Sequence, residues 1–300
     1  MTGRWTASFA ALGLLVAAGL GLPTPARAAM PGGDSGARVR VAASFYPLAW
    51  SARQVGGDRV RVTDLTPPGT EPHDLELDAD ARVAIEDADL VIVLGGGFQP
   101  AVEEAAEQRD GPTLVILDEL GPAGRERAQR DPHVWLDPSV MVSISTTIGE
   151  RLLDLGGARR GRVTRTEARL RDLDADFETG LASCDRDLLV SAHEAFGWLA
   201  SRYGLRQEGI AGIDPEAEPN PRRVAELADL VQARGVTTVF TEDLVSPDVA
   251  ETLAREAGGL RTEVLSPLES RTKEQRSRRH DYLDVMRSNL EKLRNALGCA

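Results

Sequence analysis

Residues Leu90-Val91-Ile92-Val93-Leu94 form an unbroken apolar run of strand length, closed by Gly95-Gly96-Gly97. A strand this apolar has no polar face to present to water, so it must be covered on both sides. A parallel sheet with helices on either side meets that condition. The neighbouring segments fit it. Arg38–Phe45 and Val60–Leu65 read as strands, with a helix opened by Pro47 and running through Val55 between them. A helix over Asp78–Asp87, the apolar run, a helix over Pro100–Gln108 and the strand Thr113–Leu117 follow. The glycine triplet is not a phosphate loop, because neither the G-x-G-x-x-G spacing nor a G-K-[ST] ending is present.

The second half repeats the alternation. Gly121–Arg130 reads as a polar loop, and Pro138–Leu155 as a helix. Between Gly161 and Ser183, Val163, Leu170, Leu173, Phe177 and Leu181 recur at helical spacing with charges between them, which predicts one long helix. Strands are expected at Asp187–Ser191, Gly209–Gly212, Val236–Thr241 and Thr262–Leu265. Helices are expected at Ala195–Tyr203, Pro221–Arg234, Pro247–Ala257 and Tyr282–Leu297. The fold class is therefore α/β: two lobes, each with a roughly four-stranded parallel sheet flanked by helices, joined by one long linker helix. The boundaries expected are 38–160 for the first lobe, 161–183 for the helix and 184–300 for the second lobe.

Upstream, Arg4 precedes an apolar run from Ala7 to Leu22, then Pro23 and the small-residue site Ala26-Arg27-Ala28. That is the pattern of a secretory signal peptide, expected over 1–28, with a flexible stretch over 29–37. An uncleaved anchor is the other reading, disfavoured by the shortness of the run. The leader has no cysteine, so a lipid-anchored form is not expected. The chain is placed across the cytoplasmic membrane, in the periplasm or at the cell exterior. Cys184 and Cys299 are the two cysteines of the 300 residues. A disulfide between them suits an oxidising compartment. Two free thiols, or thiolates on a metal, are the alternatives. A formal net charge of −12 argues against nucleic acid as a partner.

Histidine is rare, at four residues, and three of the four fall in strand-end or loop motifs. They are His73 in Gly69-Thr70-Glu71-Pro72-His73-Asp74, His133 in Asp131-Pro132-His133-Val134-Trp135-Leu136-Asp137-Pro138, and His193 in Ser191-Ala192-His193-Glu194. Open α/β sheets bind ligands beyond the carboxyl ends of their strands. Imidazole is a ligand for zinc, copper, iron and nickel. The three histidines are thus expected to meet at one metal ion between the lobes. His280, in Arg278-Arg279-His280-Asp281, reads as a solvated residue outside this set.

These motifs, with Ser44-Phe45-Tyr46-Pro47-Leu48 and Phe240-Thr241-Glu242, resemble the solute-binding proteins of bacterial ABC uptake systems for zinc and manganese (cluster A-I, the ZnuA- and TroA-like family). The resemblance covers about residues 38–299. It implies two α/β lobes on one rigid helix, with the metal at their interface and a membrane permease as partner. A third histidine, where the manganese branch usually has a carboxylate, places the chain in the zinc branch, with Mn²⁺ the less favoured ion. The family's usual fourth ligand is an aspartate in the last strand. Here that segment is Leu265-Ser266-Pro267-Leu268, and serine is a poor zinc ligand. The fourth position falls to Glu242, Glu71, Glu269 or water. The histidine-rich loop of many zinc members is absent from Gly121–Arg130.

Asp74, Asp137 and Glu194 are the carboxylates expected to orient the imidazoles. Binding is expected to weaken as histidines protonate below about pH 6. The chain is read as a monomeric carrier and not an enzyme. The rival readings are a His₃ zinc hydrolase, since three histidines and an open position also make a hydrolytic site, and a metal-site-degenerate or adhesin-like member of the same fold.

Overall fold

The structure, a computed structural model, describes residues 38–217 and 220–300. The expected signal peptide and the flexible stretch after it lie outside the described residues. Two four-stranded parallel sheets are present, with strand orders β2-β1-β3-β4 and β6-β5-β7-β8. The first contains β1 (Val39–Ala43), β2 (Val60–Asp64), β3 (Leu90–Val93) and β4 (Thr113–Val115). The second contains β5 (Leu188–Ser191), β6 (Arg206–Gly209), β7 (Thr238–Thr241) and β8 (Arg261–Val264).

The apolar strands behave as double-sided burial requires. In the first sheet Val41, Ala43, Leu90 and Ile92 face one core, while Ala42, Val91 and Val93 face another. That second core includes Ile85 of α2 (Ala79–Glu86) and Val102 and Ala106 of α3 (Pro100–Gln108). In the second sheet Leu189 and Phe240 point inward. Leu188, Val190 and Val239 pack outward, with Leu227 and Val231 of α8 (Pro221–Arg234) and Leu253 of α9 (Asp248–Glu256). The inward faces share one continuous core with α1 (Tyr46–Gly56), α5 (Pro138–Asp154) and α11 (Tyr282–Leu297).

The linker helix is α6, Arg160–Gly180, 21 residues or about 30 Å at 1.5 Å per residue. Its buried stripe is Val163, Thr166, Leu170, Leu173 and Phe177. At one end Val163 sits so close to Gly149 of α5 that a Cβ there would meet its methyl at 2.7 Å. At the other end Phe177 stacks on Tyr203 at 5.2 Å between ring centroids. One helix thus packs on both halves.

Three segments differ from the expectation. Gly121–Ala128 is a helix, α4, rather than a loop. Only Ala128 of it is buried, so it carries no apolar periodicity to read. The strand expected at Gly209–Gly212 lies earlier, as β6, whose Arg206-Gln207-Glu208 is polar because the strand sits at the sheet edge. Lys273–Ser277 forms a short helix, α10, opened by a capping box of Thr272 and Gln275. The helix expected at Ala195–Tyr203 is present as α7 (Gly197–Arg202), after the third histidine motif.

Cys184 and Cys299 are disulfide-bonded across 115 residues, tying the segment after α6 to the end of α11. Closing so long a loop stabilises mainly by restricting the unfolded chain, by about 2–5 kcal/mol. Cys184→Ser is expected to lower the denaturation midpoint, and reductant to do the same to the wild type but not to the variant. Denaturant titrations with and without reductant measure this, and equal midpoints throughout would contradict it.

Candidate metal centre

Each histidine is fixed by its own local device. After β2, Thr66 Oγ1 donates to Ser44 O (2.8 Å) and anchors the Pro67-Pro68-Gly69 loop. Glu71 Oε2 then accepts from the backbone N–H of His73 (2.8 Å) and of Asp74 (3.4 Å), folding a turn that presents the His73 ring edge-on to Phe98. Asp131 Oδ1 accepts from both the backbone N–H (3.0 Å) and Nδ1 (2.9 Å) of His133. A proton on Nδ1 leaves Nε2 as the free ligand atom. His193 follows β5. Its N–H donates to Glu242 Oε1 (2.9 Å), and its carbonyl accepts from Ser191 Oγ (2.7 Å) and Gln207 Nε2 (3.0 Å). Glu242 follows β7, the neighbour of β5, and its Oε2 lies 2.5 Å from His193 Nδ1 as an ion-pair contact. These two strand ends form the switch point of the second sheet, the place where ligands bind in folds of this class.

The three Nε2 atoms meet a fourth group. Glu269 Oε1 lies 3.1 Å from His133 Nε2, 3.3 Å from His193 Nε2 and 3.5 Å from His73 Nε2. His133 and His193 Nε2 are 3.4 Å apart, and all four atoms lie within 4.8 Å of one another. A tetrahedral ion with bonds of about 2.0–2.1 Å has ligand–ligand edges of about 3.3–3.4 Å. The three contacts of Glu269 and the His133–His193 separation, 3.1–3.5 Å, lie near that edge length, and the widest separation in the group stays within 4.8 Å. His133, His193 and Glu269 are buried, and no other such cluster occurs among the described residues.

Of the candidates for the fourth position, Glu269 is the one in contact with all three imidazoles. It is carried by the loop after β8, just past Leu268, which is buried and holds a left-handed φ of 57°. Such a conformation in a non-glycine residue costs of order 1–3 kcal/mol and clusters at functional sites. Ser266 stays out of the cluster: its backbone pairs with Asn289 and its Oγ accepts from Leu268 N–H. Glu242 serves the far side of His193, and Glu71 lies at the margin, Oε1 being 4.0 Å from His73 Nε2.

The carboxylates expected to orient the rings do other work. Asp137 caps α5, accepting from Ser139 N–H at 2.8 Å. Asp74 is exposed, and the backbone N–H of Glu194 donates to Gly212 O. None of the three bonds a histidine ring among the described residues. Asp131, two residues before His133, and Glu242, on the strand adjacent to β5, are the carboxylates that reach the Nδ1 atoms. His280 is exposed and remote from the cluster, as read. The disulfide removes both thiols from the list of ligands.

The cluster is electrostatically coupled. Burial alone would depress His193, but Glu242 and Glu269 outweigh it and push its pKa up to about 10. His133 likewise rises despite burial, through Asp131 and Glu269. Burial would raise Glu269, yet the three imidazoles hold it well below the usual carboxylate range. Burial, then the charge of Glu269, pushes Glu71 up to about 7. Both shifts run upward from the ordinary histidine value, the direction that carries imidazole protonation above the pH of about 6 expected from the sequence.

The sequence model of one protein family, described as the periplasmic zinc-uptake complex component A (ZnuA), matches residues 41–296. The zinc-binding lipoprotein AdcA of Streptococcus pneumoniae is 31% identical over 278 residues, covering 86% of this chain and 55% of that one. The chain thus spans about half the length of that relative. The high-affinity zinc uptake system protein ZnuA of Bacillus subtilis is 30% identical over 285 residues, covering 88% of this chain and 89% of the other. The crystal structure of the Zn(II)-bound ZnuA-like domain of S. pneumoniae AdcA aligns with a TM-score of 0.73 and 31% identity, over 87% of this chain and 99% of that domain. The chain belongs to the ZnuA family of zinc-uptake components.

Proposed function

We propose that this protein captures Zn²⁺ outside the cytoplasm and delivers it to the membrane permease of an ABC importer. The observation that carries the reading is the convergence of three imidazoles on one carboxylate oxygen, Glu269 Oε1, at 3.1–3.5 Å, with all four ligand atoms within 4.8 Å of one another. The ion is cargo, held by His73, His133, His193 and Glu269. Three imidazoles with a single carboxylate favour zinc over manganese, which prefers oxygen. Asp131 and Glu242 orient their histidines. A leader over 1–28, lobes at 38–160 and 184–300 and a linker at 161–183 describe the working chain, a secreted monomer without nucleic-acid partners. The family's solute-binding role and a fourth ligand in place of an open position argue against a hydrolase, since catalytic zinc keeps a site free for water.

Titration of the purified chain with Zn²⁺ against a competing chelator tests the proposal. One ion per chain is expected. His133→Ala and Glu269→Gln should each weaken binding more than Glu242→Gln, whose loss should be about 10–100-fold, as for partners that only orient a ligand. No binding tighter than micromolar by the wild type would sink the reading.

The protonation state sets the pH dependence. A ligand imidazole must give up the proton on its metal-facing nitrogen. With the pKa of His193 at about 10 and that of His133 raised, Zn²⁺ displaces protons throughout the neutral range. The association constant should therefore rise with pH between about 6 and 8, by about tenfold per unit for each proton released. Calorimetry in buffers of different ionisation enthalpy counts those protons, and a count of zero would contradict the coupling.

A further inference from the structure

The cluster is unevenly shielded. The side chains of His133 and His193 are 0% exposed and that of Glu269 2%, whereas His73 is 16% and Glu71 15% exposed. The side of the cluster nearest solvent is therefore the one formed by Glu71 and His73, whose ligand atoms Oε1 and Nε2 lie just beneath the surface and are themselves buried. Glu71 Oε2 is pinned by the N–H groups of His73 and Asp74, and its Oε1 is buried without a hydrogen-bond partner, 4.0 Å from His73 Nε2. Two ligands at about 2.0–2.2 Å from one ion span at most about 4.0–4.4 Å. The Glu71–His73 pair can hold an ion between those atoms with little movement of either.

Resting on the zinc-carrier reading, we infer that Glu71 is a transfer ligand: it takes the ion at the rim, passes it to the His₃Glu269 cage, and receives it again on release. The lobes divide the ligands in a way that suits this. His73, His133 and Glu71 belong to the first lobe, and His193 and Glu269 to the second. If the second-lobe pair withdraws, two imidazoles and a carboxylate still hold the ion, so it leaves in steps and is never stripped of all its ligands at once. A group that touches the ion in passage, and not at rest, lowers the barrier in both directions and leaves the equilibrium unchanged.

Stopped-flow measurement of Zn²⁺ association, and of release to excess chelator, tests this on the full chain. Glu71→Gln keeps the carbonyl oxygen that accepts both backbone N–H groups, so the turn survives, while the ligand oxygen is lost. Association and release are both expected to slow by about the same factor, of order tenfold, as for loss of a ligand that lowers the one barrier they share, with the dissociation constant unchanged. Asp74→Asn removes the same charge from an exposed neighbour and should leave both rates alone. Unchanged rates in Glu71→Gln would overturn the inference. So would equal slowing by Asp74→Asn, which would reduce the effect to surface charge. A loss of affinity matching that of Glu269→Gln would make Glu71 a resident ligand and overturn it as well. Absence of zinc binding by the wild type would instead fail the carrier reading itself.

Discussion

Everything in this fold serves one costly arrangement: the carboxylate of Glu269 buried among three imidazole nitrogens. Removing an ion from water costs several kcal/mol even after relaxation, and only close opposite charge repays it. Here the imidazoles supply it: Asp131 and Glu269 raise the pKa of His133, Glu242 and Glu269 raise that of His193, and the three rings hold Glu269 well below the usual carboxylate range. The ring nitrogens facing away from the centre have carboxylate partners of their own, Asp131 and Glu242, which fix how the rings are turned.

Holding ligands from two lobes to such distances demands that the lobes keep register. Three kinds of connection do this. The linker helix α6 packs on Gly149 at one end and Tyr203 at the other. The disulfide fixes the segment leaving α6 to the end of α11, so the linker helix enters the second lobe at a set point. The third connection is local. Trp135, two residues from His133, donates to Pro267 O at 2.8 Å, and Tyr282 donates to Trp135 O at 2.6 Å. Ser270 bridges to the Pro67–Gly69 loop, accepting from Gly69 N–H and donating to Pro67 O. The loop that carries Glu269 is thereby stitched to the two segments that carry His73 and His133.

Much of this was legible in the sequence, for physical reasons. Strands such as Leu90–Val93 announced themselves because double-sided burial leaves no polar residue in them. The helices Pro100–Gln108, Pro221–Arg234 and Tyr282–Leu297 fell at the predicted bounds, each opened by a proline or by a residue that caps. The histidines stood out through rarity and through their place at strand ends. The elements that escaped owe little to apolar patterning: β6 is a polar edge strand, and α4 buries only Ala128. The helix at Lys273–Ser277 did carry a signal, the Thr272–Gln275 capping box, which an apolar scan passes over. Glu269 stayed one of several candidates because the choice among acidic residues depends on how the loop after β8 folds back. Asp131 is the instructive miss. Proximity in sequence drew attention to Asp74, Asp137 and Glu194, but which carboxylate meets a ring is decided by the turn and by the neighbouring strand.

The two sheets share one strand order, with β1 and β5 in equivalent places. In each, the chain first adds a strand on one side and then crosses to the other, which opens a crevice at the carboxyl ends of the central pair. In the second lobe that crevice supplies His193 and Glu242 from adjacent strand ends, so the ligand and its orienting carboxylate rest on the most rigid part of the sheet. In the first lobe the ligands come from longer loops, and extra fastening replaces sheet rigidity: the Glu71 turn for His73 and the Asp131 turn for His133. His193 is mounted on the sheet, whereas Glu269, His73 and His133 are carried by loops, and the more exposed side chains, His73 and Glu71, lie on the first-lobe side.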